Sequence, residues 1–132
     1  MPEGVGYGQS DAPVSAGLDI HYVKDYIYAY SGAVSANATL TSLVDFRTGN
    51  HSVRAFVVPM YMGSIAESDD YLWRIKLNGI LIAEMVLANN IEVPNTDMIL
   101  ILPPLTNVQI QAKNLTENEA HDVGCIVTGK II

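Results

Sequence analysis

The chain has 132 residues, of which 49% are hydrophobic, and its 14 acidic residues outnumber seven lysines and arginines. That length and apolar content exclude wholesale disorder and give one domain room for a core without staples. A net charge of −7 and a pI near 4.6 exclude a direct nucleic-acid binder, which needs a basic stripe to displace counterions.

Lys24, Arg47, Arg54, Arg74, Lys76, Lys113 and Lys130 are scattered along the sequence. Cys125 is the only cysteine, which leaves no internal disulfide and no thiolate metal site. Among the apolar neighbours of VGCIVTG it reads as a small buried hydrophobe. No apolar run approaches the roughly 18 residues that span a bilayer. The opening MPEGVGYGQSDAP has neither the basic nor the apolar region of a secretion signal, so a soluble chain made in a cytoplasm is expected, with no membrane partner.

Residues 1–17 hold four of the ten glycines, two prolines and no apolar period, and read as an extended arm. The arm has too little apolar area to fix itself, and a neighbouring subunit is its expected partner; packing along its own domain is the alternative. Val5, Tyr7 and Val14 are its candidate contact residues.

From residue 18 the chain reads as one β-sandwich domain, 18–132, built of short strand-like runs with almost nothing of helical period. HYVKDYIYAY (21–30) alternates and stops at Ser31-Gly32; TLTSLVDF (39–46) follows, then SVRAFVVPMYM (52–62). Pro59 marks an edge position or a bulge in that third run. YLWRIKL (71–77) and ILIAEMVL (80–87) flank Asn78-Gly79, a pair that tolerates both positive φ angles of a tight hairpin turn. Trp73, Ile75 and Leu77 share the phase expected to face the core. MILIL (98–102) is stopped by Pro103-Pro104. In TNVQIQAKN (106–114), Val108, Ile110 and Ala112 alternate with Gln109, Gln111 and Lys113, so one face is wet. VGCIVTGKII (123–132) closes the chain. About eight strands at this spacing predict an all-β fold, an antiparallel two-sheet sandwich of jelly-roll or Greek-key character.

Chemistry is sparse. His21, His51 and His121 lack ligand partners at short spacing and read as three independent surface or turn residues. Glu67, Ser68, Asp69 and Asp70 could offer oxygens to Ca²⁺ but lack the ladder of a calcium loop, and read as solvated. Glu84 and Glu92, the glutamates near strands, show no activating context, and GVGYG (4–8) sits between no strand and helix. No catalytic residue, metal or cofactor is predicted. Asn37, Asn50 and Asn114 match glycosylation acceptors, and all three read as turn residues. The aromatic pattern is less bland. Tyr22, Tyr26, Tyr28 and Tyr30 share one phase of the first run and would line one strand face, as a protein-binding surface, a core layer or a sugar platform.

The glycine-rich arm, YIYAYSGAVSANATLTSLVDFRTG with WRIKLNGILIAE, and the closing ILPPLTNVQIQAKNLTENEAHDVGCIVTGKII together resemble small β-sandwich virion proteins, especially bacteriophage capsid decoration proteins and fibre or spike modules. The resemblance covers most of residues 20–132 and is one of pattern. It implies a non-enzymatic protein of the capsid surface, made in the host cytoplasm, that bridges subunits of the major capsid protein, as a homotrimer. A lectin-like carbohydrate- or receptor-binding module is the alternative.

Overall fold

The computed structural model describes residues 20–61, 69–88 and 98–132. Among them lie ten strands: β1 (His21–Val23), β2 (Tyr26–Tyr30), β3 (Val34–Ala36), β4 (Thr41–Arg47), β5 (Val53–Tyr61), β6 (Asp70–Leu77), β7 (Ile80–Ala88), β8 (Met98–Leu102), β9 (Asn107–Asn114) and β10 (His121–Ile131). All pair antiparallel in two sheets. The six-stranded sheet runs β1-β2-β10-β5-β8 with β3 also on β10, and the four-stranded sheet runs β4-β9-β6-β7. Apart from the short β1 and β3 and the β6–β7 hairpin, which stays within one sheet, successive strands alternate between sheets in the order of a jelly roll, two Greek keys wound together.

The local chemistry explains the departures from the expected eight strands. Residues 21–30 are a hairpin, not one strand: Lys24 takes φ 56° and turns the chain back, so β1 pairs with β2. Ser31 then interrupts the strand. Its N–H donates to the Cys125 carbonyl at 3.1 Å and its Oγ accepts the Cys125 N–H at 2.9 Å. This polar staple lets β2 and the unforeseen β3 share one edge of β10. Since Cys125 turns its backbone toward Ser31, its partner Pro59 must face away from β10. There β8 has ended, pairing only Val53–Val57, and the missing N–H is not needed. Asn78 and Gly79 close the β6–β7 hairpin with φ of 51° and 80°, the turn expected from the sequence. A side chain at Gly129 would strike Val53 at 2.6 Å, so glycine is what allows β10 to lie this close to β5.

The inner faces meet in a dry core. Ile27, Val53, Val57 and Val127 come from the six-stranded sheet, and Val44, Trp73, Ile75 and Ile110 from the other. Leu77 is half-buried against it. Packed against it at the end of β5, the partly buried Tyr61 meets Tyr71 and Trp73 edge-on, with ring centroids 5.8 and 5.7 Å away. The polar tips are satisfied across the sandwich. Trp73 Nε1–H donates to the Gly124 carbonyl at 3.1 Å, and Tyr71 donates to the Ala36 carbonyl at 2.7 Å while accepting the His121 N–H at 3.1 Å. Tyr61 donates to the Leu87 carbonyl.

Burial pushes the Cys125 thiol up to about 12 from an ordinary 9.0, and Tyr61 up to about 12 from 10.0. Cys125 is thus the inert core hydrophobe expected from its neighbours.

Tyr71→Phe strands a buried carbonyl and a backbone N–H, so chemical denaturation should show a loss of about 1–3 kcal/mol. The exposed Tyr28→Phe should stay within about 0.5 kcal/mol of the parent. With both pKa values raised by folding, the stability carried by the neutral thiol and phenol is complete below about pH 9 and drains away as pH climbs toward 12. Urea midpoints across that range should fall, and in Cys125→Ala the fall should begin later, near the phenol's ordinary 10.0.

Candidate binding face

The outer face of the six-stranded sheet is built by alternation. Ile27 and Ala29 point into the core, so Tyr26, Tyr28 and Tyr30 of β2 point out, each more than 40% exposed. The same rule sends out Ile126, Thr128 and Lys130 of β10, Arg54, Phe56 and Val58 of β5, and Ile99 and Ile101 of β8. Strand register lines these residues into rows. Tyr30, Ile126 and Val58 form one; Tyr28, Thr128, Phe56 and Ile99 the next; Tyr26, Lys130, Arg54 and Ile101 the third. Cross-strand neighbours in such rows lie about 5 Å apart, so the rows form a continuous surface, apolar but for Thr128 and the Lys130–Arg54 pair.

Within it, short Thr128 between two rings leaves a trough of about 560 Å³ lined by Tyr26, Tyr28, Arg54, Phe56, Thr128 and Lys130. One end of it is cationic. Lys130 and Arg54 are direct cross-strand partners, and Lys130 Nζ lies 5.8 Å from the Tyr26 ring centroid. Among the described residues, neither cation faces a carboxylate.

Three of the four tyrosines read from the sequence as one face are thus brought together, and the fourth is not. Tyr22 pairs with the buried Ile27, so it faces inward, and its hydroxyl accepts the Gly49 N–H at 2.9 Å. The reversal at Lys24 is the cause: it breaks the common phase that a single strand would have kept. Val5, Tyr7 and Val14, with the whole arm 1–17, lie outside the described residues. Phe56, Arg54 and Lys130 were missed. Their only signal was exposed phase on β5 and β10, which sequence alone cannot tie to β2.

A polar cluster occupies one end of the sandwich. Asp69 is not the solvated loop residue expected: its side chain is 2% exposed. Its Oδ2 accepts from Asn114 Nδ2 at 3.1 Å and lies 3.1 Å from His121 Nε2, which is 3.4 Å from Glu119. His121 is therefore not an independent surface residue, whereas His21 and His51 are exposed. Asn114 organises the site. Its Nδ2 also donates to the Glu119 carbonyl at 2.9 Å, and its Oδ1 accepts the N–H groups of Thr116 and Glu117. That is the turn role expected for Asn114, and Asn37 plays the same one toward Thr39. A hydrogen bond with Glu119 and the charge of Asp69 push the exposed Glu117 carboxyl up. The ligating atoms of Asp69, Glu117, Glu119 and His121 lie within 4.8 Å of one another, so these four could share a proton or hold a divalent cation. Glu84 pairs with Arg74 at 2.9 Å on the surface, and Glu92 lies outside the described residues.

No family model matches the chain, and no curated protein matches it. Among solved structures it is similar to dimeric latent PorU from Porphyromonas gingivalis, at 15% identity and TM-score 0.45, over 78% of this chain and 11% of that one. It is similar to the VP2 subviral particle of infectious bursal disease virus, at 8% identity and TM-score 0.43, over 80% of this chain and 32% of that one. It is also similar to a family 35 carbohydrate binding module from Clostridium thermocellum, at 17% identity and TM-score 0.42, over 83% and 95% of the two chains.

Proposed function

We propose that this chain is a capsid decoration protein of a bacteriophage, a non-enzymatic clamp that packs its sandwich surfaces against protein neighbours. The observation that carries the reading is the exposed aromatic and aliphatic ladder on β2, β10, β5 and β8. Continuous apolar area of this kind on a soluble domain marks a contact surface, and tyrosine with arginine is the mixture found where proteins meet. On the other sheet Ile80, Leu81, Ile82 and Val86 of the β6–β7 hairpin are also exposed, with the Glu84–Arg74 ion pair between Ile82 and Val86. A clamp needs two such surfaces, since each contact then raises the effective concentration of the other. The acidic net charge would keep a coated particle dispersed and free of stray nucleic acid.

The trough itself favours a second reading. Ring walls with a threonine floor also suit a sugar, and a glycan array would show binding that Phe56→Ala abolishes.

The decoration reading is tested by co-sedimentation with assembled shells of the phage that encodes the chain. The full chain is expected in the pellet, and Tyr28→Ser with Phe56→Ser should leave the melting curve intact while weakening pelleting at least tenfold. A full chain that stays in the supernatant would overturn it.

A further inference from the structure

We infer that the trough on the outer sheet face receives residues 1–17 of a neighbouring copy, an inference that rests on reading that face as a protein interface. The trough follows β10. Its walls stand on β2 and β5, two strand spacings or about 9.6 Å apart, a width that admits a single extended segment between Tyr28 and Phe56.

Charge identifies the segment. Lys130 and Arg54 sit directly opposite each other, and like charges in that position repel. The chain as a whole carries −7, so this pair of cations stands against its general character. An occupant that relieves the repulsion must bring carboxylates, and to cover Tyr28 and Phe56 it must bring apolar side chains as well. Residues 1–17 hold Glu3 and Asp11 with no lysine or arginine, and Val5, Tyr7 and Val14 between and beyond them. Both requirements are met by one stretch of this same chain.

Register favours a neighbouring copy as its source. β1 starts at His21 opposite Tyr28 and ends at Val23 opposite Tyr26. Lys130 and Arg54 are level with Tyr26, two residues along β2 from Tyr28, so the chain preceding Ile20 enters β1 from the Tyr30 side and points away from the two cations. To fill its own trough the segment would have to double back over the sheet. Running onward, nineteen residues span up to about 60 Å, ample to reach an adjacent molecule. Each copy then gives one segment and receives another, an exchange satisfied by a two-fold dimer or by a head-to-tail ring.

Light scattering on the full chain tests this without any capsid present. The expected mass is a multiple of 14.3 kDa. Arg54→Glu with Lys130→Glu should bring it down to 14.3 kDa with an unchanged melting curve. Adding Glu3→Lys and Asp11→Lys to that chain should restore the assembly, because the charges are then exchanged rather than lost. A parent chain that runs at 14.3 kDa, or an assembly indifferent to the charge reversal, would overturn the inference. Shells that bind a monomer would uphold the decoration reading alone, and an assembly that ignores shells would uphold only the exchange of segments.

Discussion

Trp73 and Tyr71 stand on the four-stranded sheet, yet their polar atoms are satisfied by the other layer: the indole by the Gly124 carbonyl on β10, the phenol by the Ala36 carbonyl on β3. Both side chains are fully buried. In a dry interior a hydrogen bond left unmade costs far more than a made one gains, so these contacts fix the position of one sheet over the other. Sliding the sheets by even one residue would strand an indole N–H and a carbonyl together. The apolar side chains around them supply the bulk of the stabilisation, but they would tolerate other offsets. The directional bonds do not.

Once the sheets are locked, β10 has the leading part in placing everything outside the core. It pairs with β2 and β3 on one edge and with β5 on the other, and every row of the outer face crosses it. The face is therefore only as well ordered as that central strand. Its inner residues, Val123, Cys125 and Val127, are wholly buried, so the outward set Ile126, Thr128 and Lys130 has no freedom to rotate away. A surface held on rigid strands needs no ordering when a partner arrives, which favours binding.

The far end of the molecule follows a different logic. There the β9–β10 loop is held by one asparagine and a buried aspartate, with a histidine and two glutamates gathered around them. A hydrogen bond with Glu119, and then the charge of Asp69, raise the affinity of Glu117 for a proton. The arrangement braces the turn that returns the chain into β10. The polar end and the apolar face thus depend on the same strand.

Alternation and turn chemistry made most of the fold readable in advance. The Asn78-Gly79 hairpin, the inward Trp73 and Ile75, the wet side of β9 and the buried thiol at Cys125 all follow from short-range pattern, because a strand's two-residue period and a turn's φ demands are local. The reversal at Lys24 could not be read this way. A lysine gives no turn signal, and only pairing with Ile27 shows that Tyr22 belongs to the core. Nor could the sequence join Asp69 to His121, or set Tyr28 and Phe56 on either side of Thr128, since these come together through strands far apart along the chain. Local chemistry determined which segments became strands and where they turned. The tertiary fold alone decided which strands became neighbours, and with that which exposed side chains became a surface, because cross-strand proximity is set by packing and not by position in the sequence.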